Sequence, residues 1–228
     1  MTGSTEMDRV LIALKVGIAL VGILLWLQSQ KWIGRHMMNT SREIRDRVHE
    51  WTAPLFHKLA AHAAAANALL ISSSLVIDIL GFYLLGSAIF GETLRPLIGL
   101  FILFGLRQLN QALTSLPVPE GMIWRHPGFP SVFVTYGVSN DLFFSGHTAL
   151  AVYGALELAT ATGGGPWLLL GVAIIAFEVM TVLLLRAHWT MDVFAGAVTA
   201  LWVHTVALAV APAIDETLRV WAQGLPIP

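Results

Sequence analysis

The chain has no cysteine, which excludes disulfide frameworks, thiolate metal sites and thiol nucleophiles. Charge is scarce as well: 12% of the residues are Asp, Glu, Lys or Arg, where ordinary soluble domains carry about a quarter. The 13 basic and 14 acidic residues nearly cancel, so no basic stripe points to nucleic acid as a partner. No A-x-A cleavage site follows the first apolar run, and Glu6, Asp8 and Arg9 lead into it rather than a basic n-region. That run is therefore expected to be a retained span, not a signal peptide. No internal repeat is visible. Apolar residues are what the chain has in excess, 56% of its 228 residues, with a mean hydropathy of +0.73. One soluble core cannot hide so much apolar surface. Lipid must act as solvent for much of the chain, which makes it an integral, multi-pass membrane protein.

A bilayer core needs roughly 20 apolar residues per helix. Six stretches are expected to supply them: 10–28, 60–90, 94–113, 145–160, 167–185 and 189–211. Lys15 lies near the start of the first and can snorkel. Pro96 is tolerated in the first turn of the third. Gly163, Gly164, Gly165 and Pro166 end the fourth in a turn. Nothing alternates at the period of a barrel strand, so backbone satisfaction in lipid calls for helices. The expected fold is all-α: one membrane domain, 1–228, built as a bundle of six transmembrane helices. Residues 30–58, rich in Arg and His with Trp32 and Trp51, read as an interfacial amphipathic helix, the alternative being a solvated loop. Residues 114–144, heavy in Pro, Gly and aromatics, read as an active-site loop. Lys and Arg concentrate on the face carrying that loop and the turn between spans five and six, which favours a cytoplasmic placement for it.

Polar groups are few, so their clustering is informative. Ser145 stands where the fourth span should start, an N-cap position. Gly146, His147 and Thr148 then occupy the first helical turn, where N–H groups and the dipole attract anions. The turn between spans five and six reads Arg186-Ala-His188-Trp189-Thr190-Met191-Asp192. His188 and Asp192 are spaced i, i+4 and share a helix face. An aspartate there can take the proton of one imidazole nitrogen and leave the other as a nucleophile. Spans four and five carry the chain across and back, so both segments lie on one side. Two histidines, a carboxylate, a guanidinium and a helix N-terminus suit phosphoryl chemistry. One histidine attacks phosphorus, the other protonates the leaving alkoxide, and Arg186 with the helix N–H groups holds the equatorial oxygens. His-x3-Asp with a distant His could instead bind zinc. An arginine two residues from a ligand favours an anion over a cation, so no metal and no cofactor are expected. The bland reading, a His and an Asp satisfying one another at a helix end, is weakened by the pairing of two such segments on one face. Within the spans, Asp78 is a functional candidate by its cost in lipid. Glu157 and Glu178 are expected to share a proton as a structural pair about 15 Å below the catalytic plane. His204 and the alanine-rich stretch 60–66 read as helix packing.

At these residues the chain resembles the superfamily of lipid phosphatases and phosphotransferases that includes type-2 phosphatidic acid phosphatases. It is most similar to sphingomyelin synthases and plant phosphatidylcholine:diacylglycerol cholinephosphotransferases. Asp141-x3-Ser145-Gly146-His147-Thr148 looks like the synthase D-x3-SGHT, and His188-Trp-Thr-Met-Asp192-Val like HYTxDV with Trp189 for Tyr. Arg107 followed by 116–119 (LPVP) resembles an upstream stretch of the same group, while Phe143-Phe144-Ser-Gly-His and Arg186-x-His188 are closer to the plant enzymes. Two marks of the phosphatases are missing. Ala88 stands where their Lys-x6-Arg-Pro motif needs lysine, and Val182 where they place an arginine six residues before the second histidine. The resemblance implies a triad: His188 as nucleophile, Asp192 orienting it, and His147 as acid and then base. It implies a phospholipid donor and a lipid alcohol acceptor, diacylglycerol or ceramide. Arg186, Ser145, Gly146, Asp141, Arg107, Trp189 and Tyr136 are the expected substrate and phosphate contacts. Aromatics of the loop could cage a quaternary ammonium, with Asp141 as its charge partner. The alternatives are a lipid phosphate phosphatase, and a non-catalytic protein that binds or moves lipids.

Overall fold

The structure, a computed structural model, describes residues 2–36, 44–136 and 142–224. Seven helices form there: α1 (Thr2–His36), α2 (Arg47–Ala61), α3 (Ala63–Phe90), α4 (Arg95–Leu113), α5 (Gly146–Thr162), α6 (Pro166–Leu184) and α7 (Thr190–Gln223). Among the described residues there is no strand. Five helices, α1, α3, α4, α6 and α7, are long and apolar enough to cross a membrane.

The expected sixth span is α5, whose 17 residues lie at the short end of what a bilayer core asks for. It is the inner helix, packed against α3, α4, α6 and α7. Every side chain from His147 to Val152 is buried, as are Tyr153 and Glu157 farther along. A helix enclosed by others is apolar or internally satisfied all round and presents no stripe to a solvent. It ends where the glycines predict: Gly163, Gly164 and Gly165 all take positive φ, a region that a side chain disfavours.

Of the stretch 30–58, α1 runs on to His36, 37–43 lie outside the described residues, 44–46 are non-helical, and α2 takes up the chain from Arg47. Asp46 caps α2, its carboxylate accepting from the Val48 N–H at 2.9 Å. The helix buries His49 and Phe56 against the bundle and leaves Trp51 76% exposed. Its inner face is set against α6 and α3.

Three intramembrane groups behave differently from expectation. Lys15 does not snorkel: it is buried, and its Nζ donates to the Gly91 carbonyl at 2.9 Å. Glu157 and Glu178 do not share a proton. Glu157 accepts from Arg95 Nε at 3.0 Å and meets His204 Nδ1 at 3.0 Å, whereas Glu178 accepts from Ser73 Oγ at 2.6 Å. The carboxylates leave α5 and α6 toward different neighbours, so no common proton can bridge them. Asp78 has a plainer task. It accepts from Ser131 Oγ at 2.9 Å and the Phe133 N–H at 2.9 Å, pinning the long 114–144 loop onto α3. Several donors around one carboxylate offset the cost of removing it from water.

Candidate active site

The N-termini of α5 and α7 meet at one end of the bundle. The Ser145 N–H donates to the Asp192 carbonyl at 3.0 Å, which joins the two motifs directly. Gly196 permits this approach: a Cβ there would stand 2.7 Å from the Ser145 carbonyl oxygen. Ser145 caps α5 as expected, its Oγ accepting from the Thr148 N–H at 3.4 Å.

The His188 Nδ1 lies 2.9 Å from the Leu142 carbonyl. A carbonyl only accepts, so Nδ1 must carry the proton and Nε2 keeps its lone pair. Asp192, expected to take that role, sits 3.7 Å from Nδ1, beyond hydrogen-bond reach. Its Oδ2 instead accepts from the Trp189 N–H at 2.9 Å and caps α7. Asp192 is fully buried, so its charge acts on the imidazole across a poorly screened gap rather than through a bond.

His147 and His188 face one small cavity of about 40 Å³, walled also by Arg107, Gly146, Trp124 and Leu142. Trp124 meets the His147 ring edge to face at 4.9 Å. Arg107 is buried and donates from Nε to the Phe144 carbonyl at 2.9 Å. Its guanidinium lies against the first turn of α5. A Cβ on Gly146 would be 3.1 Å from Arg107 Nε, so glycine at that position lets cation and helix terminus converge.

The expected contacts divide. Arg186, expected to hold phosphate, is not in the cavity wall. At φ 53 its backbone turns the side chain onto α2, with the guanidinium carbon 3.8 Å from the Phe56 ring centre and Nη1 donating to the Glu120 carbonyl at 2.9 Å. Trp189 also stands outside that wall, stacked on His49 at 5.4 Å and donating to the Pro117 carbonyl at 2.8 Å. Tyr136 packs behind Trp124 at 5.3 Å and shares a hydrogen bond with Ser74. Asp141 lies outside the described residues. Among the described residues, no three of His, Cys, Asp and Glu gather closely enough to hold a metal ion.

Sequence reasoning missed Asp46 and His49. While capping α2, Asp46 also accepts from the Thr190 N–H at 2.6 Å and Thr190 Oγ1 at 2.8 Å. His49 Nε2 donates to the His188 carbonyl at 3.0 Å. Together they lock α2 over the turn that carries His188. A capping aspartate is legible locally, but its second partner 144 residues away is not. Burial pushes the His49 imidazole below its ordinary pKa, more than neighbouring Asp46 raises it. Burial would raise the Asp46 carboxyl, but the Thr190 donors and His49 hold it below the usual carboxylate range. Both folded-state values are depressed, so the stability they lend is complete at neutral pH and drains away in acid. The loss begins near pH 6.5 for His49 and below about pH 4 for Asp46. The thermal midpoint is expected to fall between pH 7.5 and 5.5, and His49→Gln should narrow that fall. An equal fall in the variant would show that His49 does not carry it.

The described residues form a helical bundle with strongly apolar helices, compatible with a polytopic membrane protein, that holds two histidines and an arginine at a buried helix N-terminus. The profile of the AtPDCT1/2 family, the phosphatidylcholine:diacylglycerol cholinephosphotransferases, matches residues 46–209, well over half of the chain, and the chain belongs to that family. No individual curated protein and no solved structure shows significant similarity to it. The match starts at Asp46, spans Arg107, both histidines and Asp192, and leaves α1 outside.

Proposed function

We propose that the protein transfers phosphocholine, or a related head group, from a phospholipid to a lipid alcohol such as diacylglycerol, through a phosphohistidine on His188. The observation that carries this reading is the His188 tautomer. With the Nδ1 proton held by the Leu142 carbonyl, Nε2 keeps a lone pair, and His188 shares its cavity with His147 and Arg107. Nε2 attacks phosphorus, and the bond from phosphorus to the glyceride oxygen breaks as His147 gives that oxygen a proton. Arg107 and the α5 N-terminus hold the remaining phosphoryl oxygens and the charge that grows on them. The acceptor hydroxyl then gives its proton to His147 and attacks phosphorus, and the phosphorus–nitrogen bond breaks. Membership of a cholinephosphotransferase family supports a lipid alcohol over water as the second nucleophile.

The test uses purified protein in vesicles of choline-labelled phosphatidylcholine, with diacylglycerol of different chain length added. New labelled phosphatidylcholine carrying the added chains is the expected product, and EDTA should leave its rate unchanged. Free phosphocholine or phosphate regardless of acceptor would sink the transferase reading in favour of a hydrolase.

The Leu142 bond also sets the expectation for Asp192→Asn. Removing a directly bonded triad carboxylate costs about 10⁴-fold because the wrong tautomer results. Here the carbonyl keeps the tautomer, and only a charge at 3.7 Å is lost. Turnover should drop by roughly 10²-fold, well short of that figure. A loss as large as that of His188→Ala would assign the tautomer to Asp192 after all.

A further inference from the structure

The ring and the backbone of His188 are held by different parts of the fold. The ring is tied through Nδ1 to the Leu142 carbonyl at 2.9 Å, in the segment that leads into α5. The backbone is tied to α2. His49 Nε2 donates to the His188 carbonyl at 3.0 Å, a buried bond between residues 139 apart in the chain. Two residues beyond His188, the Asp46 carboxylate accepts from the Thr190 N–H at 2.6 Å and from Thr190 Oγ1 at 2.8 Å. The same carboxylate caps α2 through the Val48 N–H, so one side chain joins the start of α2 to the start of α7. Hydrogen bonds to an ionised group are roughly twice as strong as neutral ones. Asp46, His49 and Thr190 all stand outside the cavity wall. Whatever they do for the reaction, they do through His188.

We propose that Asp46 and His49 are positioning residues: by holding the backbone of the α6–α7 turn against α2, they keep the His188 ring on the Leu142 carbonyl and its Nε2 in place for attack. The ring can stay on that carbonyl only while the backbone that carries it stays put. Leu142 belongs to the α5 side of the site and His49 to α2, so the two anchors are independent. Loss of the α2 anchor lets the turn drift from Leu142 while the helices remain folded. A displacement of about 1 Å at a reacting group can cost 10²-fold in rate. The proposal rests on the reading of His188 as the nucleophile.

The test compares variants of the full chain in vesicles of phosphatidylcholine. His49→Leu removes the donor and should slow phosphohistidine formation by roughly 10²-fold, with the donor KM held within a few-fold. His49→Gln, whose amide can donate to the same carbonyl, should recover most of that rate. Thr190→Val removes one bond to Asp46 and Asp46→Ala removes them all, so the losses should rank in that order. Phe56→Leu is the comparator for stability alone. Phe56 is buried on α2 and carries the Arg186 guanidinium, without touching the His188 backbone. It should lower the thermal midpoint and leave the rate within a few-fold. Rates that follow the midpoint across the whole set, Phe56→Leu included, or a His49→Gln as slow as His49→Leu, would overturn the proposal. A second readout needs no turnover: the His188 Nδ1 proton, observed by NMR with nitrogen-15-labelled histidine. It should exchange slowly with water in the wild type and in His49→Gln, and quickly in His49→Leu. That pattern in a protein that never forms a phosphohistidine would keep the positioning of His188 by α2 and discard its role as nucleophile. Slow exchange in His49→Leu would overturn the positioning itself.

Discussion

His188→Ala is expected to abolish turnover and any covalent intermediate, even with an activated donor such as the nitrophenyl ester of phosphocholine. The reason is that the variant removes the imidazole proposed to attack phosphorus. His147→Ala should behave otherwise. Its loss deprives the leaving alkoxide of a proton, a step worth about 10²–10⁴-fold with a natural phospholipid. A nitrophenolate leaves without that help. His147→Ala should therefore form the phosphohistidine from the activated ester at a rate close to wild type, while remaining slow with phosphatidylcholine. Rapid quench and detection of acid-labile phosphocholine on the protein reads both arms. Rescue of His188→Ala by the ester, with none for His147→Ala, would exchange the two roles.

The second large effect concerns the two arginines. Arg107 lines the cavity and lies against Gly146 at the start of α5. Arg186 is stacked on Phe56 and bound to the Glu120 carbonyl outside that wall. Arg107→Lys keeps the charge but loses the planar fork that can hold two phosphoryl oxygens at once. Its kcat should fall by about 10²–10³-fold, the range for removing one preorganised donor from a developing charge. Arg186→Lys should keep kcat within a few-fold and lower the thermal midpoint, because the stacking on Phe56 and the tie to the loop weaken. If Arg186→Lys proves the one that stops chemistry while Arg107→Lys turns over normally, phosphate binding belongs to Arg186, as its place next to His188 first indicates.

Those two residues show where sequence reading reaches its limit. The apolar runs that became α1, α3, α4, α6 and α7 were legible because the bilayer imposes a length and a hydropathy on each helix locally. The cap at Ser145 and the glycine turn after α5 were legible for the same reason, since each is a relation within one turn of chain. That α5 is the inner helix, enclosed by four others, was not legible, because its composition is apolar wherever it sits and only its neighbours decide. Arg107 and Arg186 present identical chemistry in the sequence. What separates them is a left-handed backbone at Arg186 and an aromatic ring on α2 that receives it. The same holds for the proton on His188. Spacing offered Asp192 as its acceptor, but the group within reach is the carbonyl of Leu142, 46 residues away. Every residue carries a carbonyl, so no side-chain pattern can mark which one will serve. Folding brings it there because the backbone tie between Ser145 and Asp192 sets the two helix ends side by side.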